Sequence, residues 1–267
     1  KNVTDVLSDA SGVIVKCFDG KDFMGDKCII ATGGLSYPST GSTGDGYKFA
    51  KNMGHTIEET YPSLVPFNIK EEYCKRLQGL SLKNVTLTIK DENGKVPYSE
   101  MGEMLFTHFG ISGPLVFSAS AYLSDTLKKH QYVGYIDLKP ALDEEMLDKR
   151  ILKDFQDGIN KNFNNAIEKL LPKKMIPVII ELAKINPYKK VHEITKEERE
   201  NLVKIIKNLP VHISGTRGYN EAIITKGGIS TKEINPKTME SKIMPNIYFV
   251  GEVLDLDAMT GGYNLQI

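Results

Sequence analysis

The chain has 267 residues, 40% of them hydrophobic and 25% charged, and its 34 Lys and Arg residues balance 34 Asp and Glu residues. This neutral balance creates no overall field that would attract nucleic acid or an acidic surface. No segment approaches the roughly 20 consecutive apolar residues of a membrane span, and the first residues lack the pattern of a secretory signal. The three cysteines form no CxxC pair and predict neither a zinc site nor a disulfide framework. We therefore expect a cytoplasmic protein that binds neither nucleic acid nor membranes and holds no metal.

The first predicted elements are strands and a helix on either side of a glycine-rich loop. Residues 12–18 and 27–31 have strand-like apolar patterns, and DGYKFAKNMG reads as a helix that ends at Gly54. Between them, ATGGLSYPSTGSTGDG holds five of the 23 glycines. A loop that leads from a strand into a helix is where α/β folds bind ligands, and free N–H groups at the helix start attract phosphate. The spacing is neither GxGxxG nor GxxxxGK, so the pattern alone leaves a structural turn and a phosphate contact equally open.

The middle of the chain changes character twice. YPSLVPF, NVTLTIKDENGKVPYS and QYVGYIDL read as strands with a hairpin turn at Asn93-Gly94, and Pro114 begins a helix after Gly113. From about residue 141 to residue 208 the pattern is helical, divided by Pro172, Pro177 and Pro187. Strand patterns return at 210–225 and at 245–250. The predicted architecture is therefore a discontinuous α/β unit that resumes near residue 222 after a β-rich and then helical insertion.

The last stretch, NIYFVGEVLDLDAMTGGYNLQI, places carboxylates directly after a buried strand and a glycine pair at a predicted helix start. Glu252, Asp255 and Asp257 could accept hydrogen bonds from a ribose or another polyol, and the helix start could receive a phosphate. The alternative is that these carboxylates are solvated loop residues that cap a helix.

Two further stretches contain candidates for acid–base chemistry or anion binding. His108, in GEMLFTHFGISGP, is the best candidate for proton transfer, although a packed or solvent-facing histidine fits its context as well. His212 and Arg217, in HISGTRGYNEAIITKGG, could each bind an anion, and Arg217 could equally be a surface residue. The lysine-rich run at 196–207 predicts a solvated helix face.

Three stretches together resemble a bacterial flavoprotein family: ATGGLSYPSTGSTGDGYKFAKNMGHTI, GEMLFTHFGISGP and TKGGISTKEINPKTMESKIMPNIYFVGEVLDLDAMTGGYNLQ. Its members are NAD(P)/FAD-dependent oxidoreductases of the aminoacetone oxidase-like or 3-dehydro-bile-acid reductase-like kind. The resemblance implies an FAD domain of the two-dinucleotide-binding type, interrupted by a β-barrel and a helical subdomain. The FAD domain would comprise residues 1–58 and 222–267, the barrel 59–140 and 210–221, and the helical subdomain 141–209.

The resemblance also implies an FAD cofactor, a small-molecule substrate and NADH or NADPH as electron donor. The residues that match the family's cofactor-binding segments are Thr32, Gly33, Gly34, Ser42, Thr43, Gly44, Asp45, Gly46, Gly251, Glu252, Asp257, Thr260, Gly261, Gly262, Asn264 and Leu265. His108 and Tyr263 are the candidates for proton handling near the flavin ring.

The sequence departs from that family in having no GxGxxG motif and no full helix after YNLQ. Both ends look cut, so we expect a fragment of a longer oxidoreductase that binds FAD weakly or not at all by itself. A non-catalytic binding or scaffold module built on the barrel and helical insert is the alternative. Nucleic-acid binding by a translation-factor-like barrel is disfavoured by the neutral charge and by the lack of interleaved aromatic and basic residues.

Overall fold

A computed structural model describes residues 2–259 and 261–266. The chain forms two units, each with its own contacts and core. The split unit consists of two stretches, up to Val65 and from Thr216 onward, and the central unit is the single stretch Pro66–Gly215. Within the described ranges, none of the helices is both long and apolar enough to cross a membrane.

The strands are, in chain order, β1 (Val3–Asp9), β2 (Gly12–Cys17), β3 (Asp22–Gly25), β4 (Cys28–Ile30), β5 (Ile57–Ser63), β6 (Phe67–Ile69), β7 (Ser81–Asp91), β8 (Tyr98–Phe106), β9 (Gly110–Ser112), β10 (Tyr132–Asp137), β11 (Leu209–Thr216), β12 (Ile224–Ile229) and β13 (Ile247–Phe249). The α-helices are α1 (Asp45–Asn52), α2 (Tyr73–Arg76), α3 (Pro114–Leu123), α4 (Glu144–Gln156), α5 (Phe163–Ala166), α6 (Ile176–Ala183), α7 (Lys196–Lys207) and α8 (Gly261–Asn264). These bounds confirm most of the predicted strands and helices, with YPSLVPF and the stretch 210–225 as exceptions, because each of these is divided between two strands.

The split unit contains three small sheets. β1, β2 and β3 form an antiparallel sheet, β5 pairs antiparallel with β12, and β4 pairs in parallel with β13. Because a parallel pair needs a long connection, β4 and β13 lie far apart in sequence. Their buried residues, such as Ile30 and Phe249, join Tyr47 and Ala50 of α1 in one core. The two stretches of the split unit thus share one core, and the assignment of this unit as an FAD domain stays a prediction.

A buried polar network joins the end of α1 to the segment before β13. His55 is buried and bonds through Nδ1 to Glu233 Oε2 at 3.0 Å and through Nε2 to Ser241 Oγ at 2.8 Å. Thr56 donates its backbone N–H and its hydroxyl to the same Glu233 carboxylate, at 2.9 and 2.7 Å. Such networks stabilise a fold when every buried member is satisfied. His55 thus has a structural role.

The central unit is a closed six-stranded barrel with a helical subdomain. The strand order around the barrel is β10-β11-β6-β9-β8-β7. Burial alternates along β10, with Tyr132, Gly134 and Ile136 facing inward, as the two-residue period of a strand requires. The predicted hairpin turn joins β7 to β8, where Gly94 has a φ of 82°. The prediction of a barrel insert is thereby confirmed.

The helical subdomain begins and ends its main helices with clear capping residues. Asp143 caps α4 by accepting from the Met146 N–H at 2.7 Å, and Thr195 and Glu198 form a capping box at the start of α7. Pro177, which we expected to divide the helical region, instead lies in the first turn of α6. Proline is accepted there because the first helical N–H groups have no intrahelical partner.

The unit boundary differs from the sequence-based one. The expected strand YPSLVPF is interrupted, because β5 ends at Ser63 and Leu64 adopts a left-handed φ of 49° before β6 begins at Phe67. β5 pairs with β12 in the split unit, whereas β6 belongs to the barrel. The units consequently divide after Val65. The boundary expected from the resemblance lies earlier, after residue 58.

Candidate functional site

The candidate site lies at the carboxyl ends of the two parallel strands of the split unit. β4 and β13 are in register from Ile247–Cys28 to Phe249–Ile30, and the bond from Val250 N to Ile30 O, at 3.2 Å, continues the pairing. The chain leaves β4 into the first glycine-rich loop and leaves β13 into the segment that contains Gly251 and Glu252. Adjacent parallel strands place the loops after them at one edge, which is where open α/β sheets bind ligands.

Thr225, on β12, ties these two loops together. Its hydroxyl oxygen accepts hydrogen bonds from the N–H groups of Leu35 and Ser36, at 2.8 and 3.1 Å, and lies 3.1 Å from Ser36 Oγ. Its own N–H donates to the Glu252 carboxylate. Thr225 is fully buried. One residue therefore fixes the first glycine loop and the strand-end carboxylate relative to each other.

The predicted cofactor-binding glycines divide into two kinds. A methyl group on Gly34 would come within 2.5 Å of Thr225 Oγ1, and one on Gly46 would overlap Thr32 Oγ1, so these two glycines permit close packing inside the loop. Gly44 precedes α1 with a φ of 79° and packs against Leu35. Gly251, with a φ of 77°, has open space around the position of a side chain. Among these four, Gly251 is the one whose backbone a ligand could approach closely.

The start of α1 carries a negative charge of its own. Asp45 accepts hydrogen bonds from Thr43 Oγ1 at 2.9 Å and from Lys48 Nζ at 2.8 Å, and these bonds, with the Lys48 bond the larger effect, lower the pKa of Asp45. A carboxylate at a helix N-terminus is stabilised by the helix dipole. A phosphate placed beside Asp45 would meet a like charge, so this helix start suits an uncharged polar group better than an anion.

One buried and one half-buried polar side chain at the site could bind a ligand, namely Tyr47 and Glu252. The Tyr47 hydroxyl is shielded from solvent and has no hydrogen-bond partner among the described residues. Burial, with a smaller contribution from the charge of Glu252, raises the pKa of Tyr47. Burial also raises the pKa of Glu252, while the hydrogen bonds from Thr225 oppose that shift. A buried polar group without a partner costs free energy. A ligand with several hydroxyl groups could donate to the Glu252 carboxylate and pair with the Tyr47 hydroxyl.

The segment after Glu252 is acidic and then becomes helical. Burial, followed by the charges of Glu58 and Asp257, raises the pKa of Asp255. The side-chain amide of Asn264 bonds to both the N–H and the carbonyl oxygen of Ala258, at 3.0 and 2.8 Å, which ties these two residues together. This segment contains the four-residue helix α8, in which Gly262 and Tyr263 are exposed, followed by an exposed Leu265. Thr260 lies outside the described residues.

The other predicted candidates belong to the central unit or to the stretch that follows it in sequence. His108 is an exposed residue in the turn between β8 and β9 of the central unit, with its ring 5.0 Å from that of Phe109. His212 bonds through Nδ1 to Glu71, which also accepts the His212 N–H at 2.8 Å. Arg217 pairs with Glu221 at 2.7 Å. Both potential anion binders thus have carboxylate partners.

Sequence reasoning missed Thr225, Ser36 and Tyr47. Thr225 stands in a strand 190 residues after Leu35, so no local pattern connects them. Tyr47 lies in DGYKFAKNMG, whose pattern predicts a helix and gives no sign of an unpaired hydroxyl. Its position directly after the glycine-rich loop was the one available signal of a second role.

The chain is thus an α/β unit with a loop cluster at its parallel strand ends, combined with a closed barrel that carries a helical subdomain. Residues 61–224 match the family described as "HI0933-like protein barrel and H2TH domain", and the chain belongs to this family.

Curated relatives extend over nearly the whole chain. It is 33% identical over 266 residues to a ribosomal RNA dihydrouridine synthase of Escherichia coli, covering 100% of this chain and 62% of that protein. A protein of the same name from Haemophilus influenzae is 37% identical over 240 residues, covering 89% and 56%. A 3-dehydro-bile acid delta(4,6)-reductase of Clostridium scindens is 31% identical over 262 residues, covering 96% and 62%. The chain therefore spans about three fifths of the length of these relatives, and one of them carries the reductase name that the sequence resemblance implied.

Proposed function

We propose that this chain holds the flavin of an FAD-dependent oxidoreductase at the carboxyl ends of β4 and β13. The observation that carries the proposal is the Thr225 junction, which brings the first glycine loop and Glu252 together. Two loops from distant parts of the sequence meet there, as the resemblance to flavoproteins requires. The relative named as a reductase supports the same class of reaction.

The side chains at this site suit the sugar-like part of FAD. Glu252 would accept a hydrogen bond from a ribityl or ribose hydroxyl, and the orphaned Tyr47 hydroxyl would donate or accept one. Gly251 would allow the cofactor to approach the backbone. In this proposal Gly34, Gly44 and Gly46 shape the loop, and Thr32, Gly33, Ser42 and Thr43 remain candidate contacts. Asp257 and residues 260–265 remain candidates for the region near the flavin ring.

The names of the relatives point to one kind of substrate chemistry. Dihydrouridine is uridine in which the C5–C6 double bond has been reduced, and the delta(4,6) designation marks carbon–carbon double bonds in a steroid framework. We propose that the intact protein reduces a carbon–carbon double bond that is conjugated to a carbonyl group. When bound, the flavin supplies the hydride, drawn from NADH or NADPH. His108 and Tyr263 remain candidates for delivering the proton.

The proposal is tested by flavin loading. The chain is incubated with FAD, desalted and examined for flavin absorbance, and then titrated with NADPH or NADH without oxygen. We expect bound flavin that is bleached by one of the two donors. The amount retained also tests the expectation that this chain by itself binds FAD weakly or not at all. A chain that takes up no flavin even at saturating FAD contradicts the proposal and favours a scaffold role.

A pair of glycine variants links the binding to the site. Gly251→Ala and Gly20→Ala introduce the same strain, because the φ angles are 77° and 75° and both positions have open space. Each should destabilise the fold by about 1 kcal/mol. We expect only Gly251→Ala to weaken FAD binding, by about tenfold or more. Equal FAD affinities for the two variants would place the flavin elsewhere.

A further inference from the structure

A cavity of the central unit lies where the barrel meets the helical subdomain. It has a volume of about 240 Å³ and is lined by the first half of β7, by the two residues after β10 and by the stretch between α5 and α6. Among its described lining residues none is acidic, and most are apolar, namely Leu82, Val85, Leu138, Leu171, Pro172 and Met175. The cavity therefore suits a short apolar group, which gains free energy on leaving water.

Lys139 is a half-buried lysine that lines this cavity. Its backbone is held in place, because its N–H donates to Asp137 Oδ1 at 2.9 Å and its carbonyl oxygen accepts from Lys207 Nζ at 3.1 Å. Lys207 also pairs with Asp137 Oδ2 at 2.6 Å. Both carboxylate oxygens of Asp137 thus already have a partner, and the side-chain amine of Lys139 forms no ion pair with any of the described residues.

A neighbouring cation adds to the effect of burial on Lys139. Burial lowers the pKa of the Lys139 ammonium, and the positive charge of Arg150 on α4 lowers it further. Arg150 itself donates to Asp154 Oδ2 at 3.1 Å, and Lys83, which also lines the cavity, pairs with Glu103 at 3.8 Å. An amine beside apolar groups or another cation gives up its proton more readily, and the free amine is a nucleophile.

We propose that Lys139 is a site of acylation by short acyl thioesters, whose apolar chain enters the cavity. The amine attacks the carbonyl carbon of the thioester, and a C–N bond forms as the C–S bond breaks. The thiol leaves with the proton that the nitrogen gives up, so no oxidant or reductant takes part. This inference goes beyond the proposed flavin site and is independent of it.

The lining of the cavity favours an acyl donor over an aldehyde. An aldehyde would convert Lys139 into an imine, which keeps a positive charge when protonated, and none of the described lining residues supplies a carboxylate to pair with it. An amide carries no charge, so acylation removes the cost of a half-buried cation. The hydroxyl of Ser81, which also lines the cavity, could form a hydrogen bond with the new amide.

The alternative is a lysine whose aliphatic stem packs along the cavity while its amine lies in water. Such an amine would react like the amines of exposed lysines. The rates of acylation at Lys139 and at exposed lysines therefore separate the two arrangements.

The test is competitive acylation of the folded chain by a limiting amount of S-butyryl-N-acetylcysteamine, a small thioester, near neutral pH. Proteolysis and mass spectrometry then give the acylated fraction of each lysine. Lys161 and Lys169 are the internal references, because both are exposed lysines of the same unit that form no ion pair with a described residue. We expect Lys139 to react about tenfold faster than either reference, and its rate to level off at a lower pH.

The length of the acyl chain gives a readout that the reactivity of the amine alone would not move. The butyryl donor is compared with S-acetyl-N-acetylcysteamine, whose acyl group is shorter by two CH₂ groups. At Lys139 the butyryl donor should react about fivefold faster than the acetyl donor, because its additional CH₂ groups become buried in the cavity. At Lys161 and Lys169 this preference should be absent.

A matched pair of arginine variants tests the neighbouring charge. Arg150→Gln removes the cation that acts on Lys139, and we expect acylation of Lys139 to become about twofold slower, with no change at the reference lysines. Arg76→Gln removes another exposed arginine of the unit, which pairs with Glu181 at 2.7 Å, and should leave the acylation of Lys139 unchanged.

The proposal is overturned if Lys139 reacts no faster than Lys161 and Lys169, or if the preference for the butyryl donor is the same at all three lysines. Flavin uptake enters none of these measurements. Failure of this inference and failure of the proposed function are therefore observed separately.

Discussion

Among single side chains, Thr225 has the largest consequence for the candidate site. Its hydroxyl accepts from two backbone N–H groups, and its backbone donates to Glu252. Removing the hydroxyl leaves the N–H groups of Leu35 and Ser36 buried without an acceptor. Thr225→Val should therefore lower the free energy of unfolding by about 2 kcal/mol and weaken FAD binding, as measured by urea denaturation and flavin titration.

The control for this change is Thr88→Val. The Thr88 hydroxyl bonds to Ser99 Oγ at 2.8 Å at an exposed position of the barrel, where water can replace the lost bond. We expect this variant to change stability by less than about 0.5 kcal/mol. Equal destabilisation by the two variants would show that the Thr225 hydroxyl has no special role.

Two glutamates of the split unit should respond to pH in opposite directions. Burial works against the charge of Glu233, but the hydrogen bonds from Thr56 and His55 outweigh it and lower its pKa. The stability that Glu233 contributes is therefore present above its unfolded pKa and lost as the pH falls. Glu233→Gln should be less stable at neutral pH by about 1 kcal/mol and should lose less stability on acidification. Chemical denaturation between about pH 6 and pH 3 measures the difference.

Glu252 is the opposite case, because burial raises its pKa. A raised pKa means stability that is complete below the unfolded pKa and lost as the pH rises through the folded value. Glu252→Gln keeps an oxygen to accept the Thr225 N–H but carries no charge. We expect this variant to be more stable than the unchanged chain at pH 7 and similar to it near pH 4. A variant that is less stable at pH 7 would contradict the direction of the shift.

The sequence allowed part of this residue-level arrangement to be predicted. A positive φ angle or a close approach of another group to the backbone favours glycine. The two glycine-rich segments could therefore be predicted as turns from the sequence. The partners that hold them were not visible. A hydroxyl on a distant strand and a phenol without a partner acquire their roles only when the chain is folded.

The barrel depends on one short strand pair. β6 and β9 pair at Phe67–Ile111 and Asn68–Gly110, and the Ile69 N–H donates to the Phe109 carbonyl at 3.0 Å beside them. A methyl group on Gly110 would overlap the Phe67 carbonyl oxygen and come within 2.7 Å of the Ile69 nitrogen, both of them backbone atoms that cannot turn aside. Gly110→Ala should therefore open the barrel at this pair and destabilise the central unit by about 3 kcal/mol.

Gly215 provides the matched position. Its φ of 150° is close to the 152° of Gly110, but its side-chain position has open space. Gly215→Ala should show only the backbone strain, about 1 kcal/mol, in the same thermal or chemical unfolding measurement. If both variants lose the same stability, then steric overlap at the β6–β9 pair is not the cause.

Periodicity and turn residues predicted most strands and helices, because alternation of apolar residues and an Asn-Gly turn act locally. The division between β5 and β6 was not predictable in this way. YPSLVPF is apolar except for Ser63, and the left-handed conformation of Leu64 that interrupts it lies where the two strands join different sheets.

The molecule as a whole has two separate cores. Every described member of the larger buried cluster, from Phe67 to Ile213, belongs to the central unit. That unit is also one continuous stretch of chain. We expect residues 66–215, produced alone, to fold with a cooperative thermal transition and a mixed helix and strand circular dichroism spectrum. An unfolded or molten product, with dye-accessible apolar surface, would contradict this.

The overall charge illustrates what a chain-wide property hides. Balance over 267 residues argued against nucleic acid, yet residues 158–192 alone have an excess of five positive charges. Because salt screens charges beyond a Debye length of about 8 to 10 Å, the local charge of a surface patch affects binding more than the net charge of the chain does. A groove of this segment could not be found from the sequence, because its lining comes from α5, from the stretch between α5 and α6, from α6 and from Pro187 after it.

The central unit joins the rest of the chain through β6 and β11, which are neighbours in the barrel. The chain therefore enters and leaves the central unit at neighbouring positions. The Lys70 N–H donates to the His212 carbonyl oxygen between them, at 3.0 Å. Recombination between genes of this family could exchange the whole insert with two crossovers. Descendants would then combine a new barrel and helical subdomain with an inherited split unit.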